Sequence, residues 1–246
     1  MATEPTSLHL ARFARNRLLA RLDSAELAAL TDGCTLEPLV PGEILHRPGQ
    51  QVERVYFPLT GTVSLVGLST EGTMVEAATI GREGTTGVPV FLTGDLGPLQ
   101  VLAQVPGDAI TVSAEVFRGQ LERGSGLDGV MRRYTQAQLA QTAQTAVCNR
   151  LHELEERAAR WLLQTLDRVD GPDVGLTHEF LSIMLGVQRP TVTLAIGVLQ
   201  TAGLVQQRRA HIEVLDRGGL EAASCECYET VRAAFSRLLP ELPPAG

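Results

Sequence analysis

Length, composition and charge exclude several classes of protein for this chain. It has 246 residues, of which 44% are hydrophobic, and a formal net charge of −7 at pH 7, which suits one large or two modest globular domains. No uninterrupted apolar run approaches the roughly 18 residues that a membrane-spanning helix requires. Residues 1–7 carry neither the basic start nor the apolar core of a secretory signal. We therefore expect a cytoplasmic protein without a membrane partner.

The cysteines and the basic residues favour neither a metal site nor a redox role. All 21 cationic side chains are arginine, so phosphate contacts must come from guanidinium groups, hydroxyls or the backbone. The cysteines are Cys34, Cys148, Cys225 and Cys227. They match no zinc-finger spacing, and cytosolic cysteines normally stay reduced. If Cys225 and Cys227 lie on one helix, they point about 160° apart, which is poor for shared ligation. We predict no metal site and no cofactor.

In chain order, the N-terminal part is predicted to be helical first and β-structured afterwards. Apolar residues recur at helical spacing over residues 8–32, with a break where Asp23 or Ser24 can cap a second helix. Over residues 34–115, short β-rich runs alternate with glycine and proline turns about every ten residues, which is typical of an antiparallel sandwich or barrel. The clearest strands are residues 52–57, 62–66 and 101–105.

A long helix is predicted over residues 126–148, where seam residues alternate at spacings of three and four. Such a seam favours pairing of two helices from two chains. The alternative is a surface helix that lies on its own barrel. The seam consists of Leu127, Val130, Tyr134, Ala137, Gln141, Gln144, Cys148 and Leu151. Further helices are predicted over residues 151–168, with Trp161 on the apolar face, and over residues 219–239, ended by Pro240.

Between these last two helices, residues 177–203 predict a helix-turn-helix. Thr177 can cap the first helix, and Gly186 can end it through the left-handed region. Pro190 is tolerated in the first turn of the second helix, where its missing N–H would be unpaired anyway. Two helices joined by a short glycine turn are the arrangement that reads a DNA major groove.

The second helix of this pair predicts a face that reads DNA. Its inward residues are Val192, Ile196 and Leu199, and its outward residues are Arg189, Thr193, Leu194 and Gln200. No acidic residue occurs from residue 187 to 202, and residues 176–212 carry a local charge of +2 on a chain of −7. A β-ribbon follows, with Arg208 and Arg209 at its tip, where phosphates would lie. A winged helix-turn-helix is therefore predicted. The alternative is a helical hairpin that only packs in a core.

The order of these parts resembles the Crp/Fnr family of bacterial transcription regulators over nearly the whole chain. The likeness is carried by residues 42–45 with Pro48 and Gly49, 55–57 with Gly61 and Val63, 151–163 and 177–204. The resemblance implies an α+β fold, with a jelly-roll sensor in residues 1–125, a dimerisation helix in 126–150 and a winged helix-turn-helix in 151–246. It implies a homodimer that binds an inverted repeat in double-stranded DNA and then recruits or blocks RNA polymerase.

The resemblance also places the DNA contacts. Arg189, Pro190 and Leu194 fall on the base-contacting pattern Arg-Glu-x-x-x-Arg of the cAMP-receptor type, of which only the arginine is kept. The candidate base contacts are Gln188, Arg189, Pro190, Thr193 and Leu194. The candidate phosphate contacts are Thr177, His178, Thr191, Arg208 and Arg209.

The sensor departs from the cyclic-nucleotide binders of the family. Those carry Gly-Glu for the ribose and Pro-Arg-Ser/Thr for the cyclic phosphate, but Gly87 is followed here by Val88, and residues 96–100 contain no arginine. Between Glu83 and Arg118 there is no Arg, Lys or His, so no cation from this stretch can pair a buried phosphate. We predict an unidentified effector other than cAMP.

Two other functions stay open. The roll can serve as a protein-interaction module whose helical hairpin only packs, in which case DNA would not bind. A jelly roll can also be a cupin-like metalloenzyme, which needs clustered His and Glu on facing strands, but His46 is the only histidine in residues 34–115. Because no Ser/His/Asp constellation or Gly-rich phosphate loop is present either, the chain is not predicted to be an enzyme.

Overall fold

An antiparallel β-roll forms the N-terminal part of the computed structural model, which describes residues 12–92, 96–209 and 211–240. Its strands are β1 Thr35–Leu39, β2 Ile44–His46, β3 Arg54–Pro58, β4 Thr62–Leu68, β5 Met74–Ile80, β6 Gln100–Val105 and β7 Gly107–Ser113. They form a three-stranded sheet in the order β1-β7-β3 and a four-stranded sheet in the order β2-β6-β4-β5. The predicted roll and the three clearest predicted strands are confirmed.

The segment before the roll differs in part from its prediction. Helix α1, Ser24–Thr31, begins at Asp23, whose carboxylate accepts two backbone hydrogen bonds of the first turn, as predicted. Upstream, turns and the 3₁₀ helix Leu19–Arg21 replace most of the predicted first helix. The Asn16 side chain hydrogen-bonds to two backbone groups in this segment and two in the roll, which favours a turn over a helix. Residues 8–11 of that prediction lie outside the described residues.

The long helix lies on its own chain along the predicted seam. One apolar cluster joins strands β3 and β7 to three helices. These are α2 (Val88–Leu92), α3 (Ala114–Glu122) and the first half of α4 (Gly126–Leu151). Six seam residues are buried within the chain: Leu127, Val130, Tyr134, Ala137, Gln141 and Cys148. Gln144 is partly buried against Cys227, and Leu151, the last seam residue, is 71% exposed. The roll and the C-terminal helix of the same chain cover the six buried residues. Pairing of two chains through this seam stays a prediction.

The C-terminal part forms the predicted winged helix-turn-helix. Its elements are α5 Leu154–Leu166, β8 Asp173–Val174, α6 His178–Leu185, α7 Arg189–Thr201, β9 Val205–Arg208 and β10 His211–Val214. The strands form an antiparallel sheet in the order β8-β10-β9, of which β8 was not predicted. Apolar side chains of this part form a second cluster around Trp161, which is buried as predicted.

The predicted final helix is split in two. Helices α8 (Arg217–Ala223) and α9 (Cys227–Leu238) are separated at Ser224, whose backbone is extended. Val231 and Phe235 of α9 join the N-terminal apolar cluster, so this helix packs mainly on α4. The division of the chain at residues 125 and 150 stays a prediction. Helix α9 belongs to the last predicted domain but packs on helix α4 of the one before it.

Among the described residues, no single helix is long and apolar enough to cross a membrane. One pair of helices, α6 with α7, reaches that length and composition together, but it is bent by 102° at its break. The inward side chains of this pair belong to the second apolar cluster.

Candidate DNA-binding surface

Two helices joined by a tight glycine turn form the centre of the candidate surface. Helix α6 begins after Thr177, whose Oγ1 accepts a hydrogen bond from the Phe180 N–H at 3.2 Å. Gly186 ends the helix with a φ of 66°, a conformation that a residue with a Cβ adopts only at a cost. Helix α7 follows at an angle of 102°, with Pro190 in its first turn. The predicted caps and turn of the helix-turn-helix are confirmed.

Helix α7 has one apolar inward face and one exposed face. The inward residues Val192, Ile196 and Leu199 are at most 3% exposed. The exposed polar and small residues include Gln188, Arg189, Pro190, Thr191, Thr193 and Gln200. Leu194 is 71% exposed, and Val198, one turn further on, is 53% exposed. Val198 was not among the predicted contacts, although its spacing of four from Leu194 places both on one face.

A buried histidine joins the two helices. His178 Nδ1 lies 3.0 Å from Thr193 Oγ1, which donates its own proton to the Arg189 carbonyl oxygen at 3.1 Å. With the Thr193 proton on Arg189, the ring donates to Thr193 from Nδ1, and within the described chain Nε2 is a buried atom without a partner. Burial lowers the pKa of His178, and Arg189 lowers it further. The predicted phosphate contact by this ring is wrong, because the ring is buried and positions α7 instead.

The wing carries one paired arginine and one exposed arginine. Arg208 Nη2 lies 2.7 Å from Glu213 Oε2 on the opposite strand. Glu213 is one residue beyond residues 176–212, whose net charge of +2 supported the predicted phosphate surface. Arg209 lies at the tip and is exposed. The Gln200 side chain accepts a hydrogen bond from the Gln207 N–H at 2.9 Å. The wing is thereby attached to the end of α7.

The helix-turn-helix rests on the four-stranded sheet of the roll. Trp161 Nε1 donates to Glu76 Oε1 at 3.1 Å, while Ser64 and Gln104 donate to the other carboxylate oxygen at 2.7 and 3.1 Å. Burial raises the pKa of Glu76 to about 7 in spite of these donors. Arg157 of α5 donates to the carbonyl of the last residue of α6, where a cation suits the helix C-terminus. Buried polar contacts thus connect the sensor sheet to the DNA-reading unit.

Residues 83–87 form the loop that would hold a cyclic nucleotide, and its side chains contact other groups of the protein. Thr86 Oγ1 lies 3.2 Å from His46 Nε2, and burial lowers the pKa of His46 to about 4, so this ring is neutral at pH 7. Arg168 Nη2 lies 2.7 Å from the Glu83 carboxylate. Burial alone would raise the pKa of Glu83, but Arg168 brings it below its usual value. The His46 imidazole beside this loop therefore offers no charge to a phosphate.

Metal-ligating side chains do not cluster in the described part of the roll. Within the described ranges, the group of three or more such side chains is Cys148, His152, Cys225 and Cys227, outside the roll. His46 instead contacts Thr86 and packs edge-on against the Tyr56 ring at 5.8 Å. A cupin-like metal centre would find no ligand set on these strands.

Known proteins share both parts of this architecture. Residues 36–123 match the family model of the cyclic nucleotide-binding domain, and residues 156–223 match that of the Crp-like helix-turn-helix domain. The global nitrogen regulator of Nostoc sp. (strain PCC 7120) is 24% identical over 176 residues, which cover 68% of this chain and 79% of that protein. The fold is that of a Crp/Fnr-family transcriptional regulator from Eubacterium rectale ATCC 33656, with a TM-score of 0.65 and 19% identity over 84% of this chain and 96% of the other. FixK2 from Bradyrhizobium japonicum is similar, with a TM-score of 0.61 and 22% identity over 78% and 98%.

Proposed function

Because the chain belongs to the Crp/Fnr family of transcription regulators, which are not enzymes, we propose that it binds specific DNA sequences as a homodimer in the cytoplasm. Its helix-turn-helix is the DNA-binding element, and α7 is the helix that enters the major groove. The outward face of α7 carries this proposal. Arg189 begins the helix, Leu194 and Val198 are exposed beyond it, and no acid occurs from residue 187 to 202.

Each exposed side chain at the start of α7 suits a particular base edge. Arg189 can donate two hydrogen bonds to a guanine, and Gln188 can pair with an adenine in the same manner. Leu194 supplies an apolar contact for a thymine methyl group. The Thr193 hydroxyl is engaged within the protein, so its methyl group is the part that reaches the DNA. Pro190 adds apolar surface without a competing N–H.

Phosphate contacts are assigned to both sides of this helix. Because the Thr177 hydroxyl accepts from the backbone, its own proton remains available for a phosphate oxygen. Thr191 is exposed in the first turn of α7. On the wing, Arg209 contributes a full positive charge, whereas that of Arg208 is partly offset by Glu213. Such contacts position the protein without reading sequence.

A second stripe on α4 is the surface that we assign to the dimer. Leu139, Val147 and Leu151 are 60%, 42% and 71% exposed. Leu139 and Val147 lie outside the buried seam, and Leu151 follows its last buried residue at the end of the helix. Leu92, which is 59% exposed, lines a groove together with Leu139. A second copy of the same stripe would bury these side chains around a two-fold axis. The dimer would present two α7 helices about one DNA turn apart, ~34 Å, to an inverted repeat.

The dimer face is tested by placing charge on it. The double variant Leu139→Arg with Val147→Arg should be a monomer in light scattering, because two like charges would face their copies across the axis. Leu68→Arg is the matched control, since Leu68 is an exposed apolar residue of the roll, at 44%. It should keep the dimeric mass. A monomeric mass for the unmodified protein, with and without DNA, would contradict the proposal.

The protein would respond to an input signal and act on a downstream partner. The neutral His46 and the absence of Arg, Lys and His from residues 84–117 support an effector other than a cyclic nucleotide. RNA polymerase is proposed as a partner from the family alone.

The function is tested by selecting genomic fragments that the purified protein retains. We expect an inverted repeat to be enriched, and we expect Arg189→Ala to lose the enrichment while keeping weak binding to random DNA. Retention of no fragment by the unmodified protein, even at low salt, would overturn the proposal in favour of a protein-interaction module.

A further inference from the structure

Three cysteines and one histidine from two distant segments meet beside the end of α4. Cys148 and His152 lie one turn apart at that end, and Cys225 and Cys227 lie at the link between α8 and α9. Their four ligand atoms all lie within 4.8 Å of one another. Cys148 Sγ is 3.5 Å from Cys225 Sγ, and Cys227 Sγ is 3.5 Å from His152 Nδ1. The three cysteines are at most 4% exposed and form a cluster of their own.

We propose that this cluster binds one Zn²⁺ ion as a closed, structural Cys₃His site. A tetrahedral zinc ion holds sulfur at about 2.3 Å and nitrogen at about 2.0 Å, which sets neighbouring ligand atoms about 3.5–3.8 Å apart. The two printed separations already match that spacing. Four protein ligands leave no open position, which is typical of structural rather than catalytic zinc.

This assignment reverses the prediction that the chain has no metal site. That prediction placed Cys225 and Cys227 on one helix, two residues apart. Helix α9 begins only at Cys227, however, and Cys225 precedes it in the link after α8. The link turns both thiols toward Cys148, so the argument from helical spacing does not apply.

The groups around the cluster supply the outer hydrogen bonds of a zinc site. His152 Nε2 lies 3.1 Å from Glu226 Oε2. A carboxylate on one ring nitrogen holds the proton there and leaves the other nitrogen, here Nδ1, as the ligand. Gln144 Nε2 donates to Cys227 Sγ at 3.0 Å, which stabilises a thiolate. A cluster of neutral thiols would need neither contact.

The charge of the site also suits a dication. Zinc binding releases the protons of three thiols, and three thiolates with Zn²⁺ leave a net charge of −1. The guanidinium groups of Arg157 and Arg160 act electrostatically on Cys148 and offset this charge. The competing chemistry is a Cys148–Cys225 disulfide, which would leave Cys227 and His152 without a common partner. The ion would tie α9 to the end of α4, two residues before α5 begins.

The proposal is tested by metal analysis of the full chain purified under reducing conditions. Mass spectrometry of the metals should find about one zinc ion per chain. Co²⁺ added to the zinc-depleted, reduced protein should give the thiolate charge-transfer and d–d absorption of a tetrahedral thiolate site. Zinc should also raise the melting temperature, because the folded chain alone presents the complete ligand set.

Three variants separate the zinc site from a packing role. Cys227→Ser should lose the zinc, whereas Cys34→Ser, at a cysteine outside the cluster, should keep it. Glu226→Ala lies at an exposed residue and keeps all four ligands, so it should fold and bind zinc about 10–100-fold more weakly. The proposal is overturned if the unmodified protein contains less than about a tenth of an equivalent of zinc and gives no Co²⁺ spectrum. It is equally overturned if Glu226→Ala binds zinc as tightly as the unmodified chain, or if metal-free protein isolated without reductant holds the Cys148–Cys225 disulfide and cannot be loaded after reduction.

Discussion

The ring of His178 and the hydroxyl of Thr193 join the two helices of the helix-turn-helix by one hydrogen bond of 3.0 Å. Thr193→Val keeps the shape and the outward methyl group but leaves the buried Nδ1–H without an acceptor. We expect a loss of about 1–3 kcal/mol in the free energy of unfolding, measured by chemical denaturation. Thr191→Val, at an exposed threonine of the same helix, should change it by less than about 0.5 kcal/mol. Equal losses in both variants would show that the bond does not hold the helices together.

The sensor is expected to ignore cyclic nucleotides. Because no cation occurs in residues 84–117 and the His46 ring is neutral, neither this stretch nor this ring would give a buried cyclic phosphate a charge partner. Calorimetric titration at pH 7.5 should give no micromolar Kd for cAMP or cGMP. Leu99 follows Pro98 where the cyclic-nucleotide binders carry their arginine, so Leu99→Arg should bind more tightly than the unmodified chain. A micromolar Kd for the unmodified protein would refute this expectation.

Glu76 is expected to make stability fall as the pH rises toward neutrality. Its pKa in the folded chain is raised to about 7, whereas an unfolded glutamate ionises near 4.3. Between these values the folded chain holds a proton that the unfolded chain has lost, so the free energy of unfolding falls with rising pH. Above about pH 7 the loss is nearly complete and amounts to roughly 4 kcal/mol.

Glu76→Gln should remove this dependence. Relative to the unmodified chain, the variant should gain stability between pH 5 and 8 by up to about 4 kcal/mol. Gln104, whose Oε1 has no partner among the described residues, can turn its amide to accept from the new side chain. Glu71→Gln, at an exposed turn residue, is the control and should follow the unmodified curve. Parallel curves for Glu76→Gln and the unmodified chain would mean that this carboxyl ionises normally.

The helix-turn-helix could be predicted from the sequence because each feature that forms it depends on a few neighbouring residues. The Thr177 cap, the left-handed Gly186 and Pro190 in the first turn of α7 each depend on neighbouring backbone alone. The apolar spacing of Val192 and Ile196 then decides which face is inward. All of these could be predicted from the sequence.

The partners of α4 could not be predicted in the same way. A periodic seam indicates that a face is buried, but its period does not indicate what buries it. Tyr134 shows this, because its hydroxyl donates to the Thr85 carbonyl of the roll at 3.1 Å. Leu139 and Val147, which lie outside the periodic seam, are the apolar residues that remain exposed. The prediction followed the stronger pattern, whereas the face that we propose for the dimer carries the weaker one.

The cysteine cluster could not be predicted from the sequence, because it forms only in the tertiary structure. Cys148 and Cys225 are 77 residues apart, and no local rule brings their thiols together. One local signal was present, since Cys148 and His152 are separated by four residues and therefore share a helix face. The positions of Cys225 and Cys227 depended on where α9 begins, and helix boundaries are the least predictable feature of a sequence.

Arginines of α7 and of the wing should affect DNA binding in two different ways. Arg189 lies at the exposed start of α7, where a side chain reaches base edges. Arg189→Ala should cost about 1–3 kcal/mol per half-site on the selected operator and much less on random DNA. Arg209 lies on the wing, where a contact to phosphate carries no sequence information.

Arg209→Ala should therefore weaken operator and random DNA alike. It should also reduce the slope of log K against log salt by about 0.9 per chain, because one fewer counterion is released. Arg208→Ala should do less, since its guanidinium is already paired with Glu213 at 2.7 Å. Affinities of all three variants for both duplexes, measured at several salt concentrations, separate base contacts from phosphate contacts. If Arg189→Ala loses the same free energy on both duplexes, α7 does not read the operator through this residue, because a lost base contact cannot weaken binding to DNA that lacks the base.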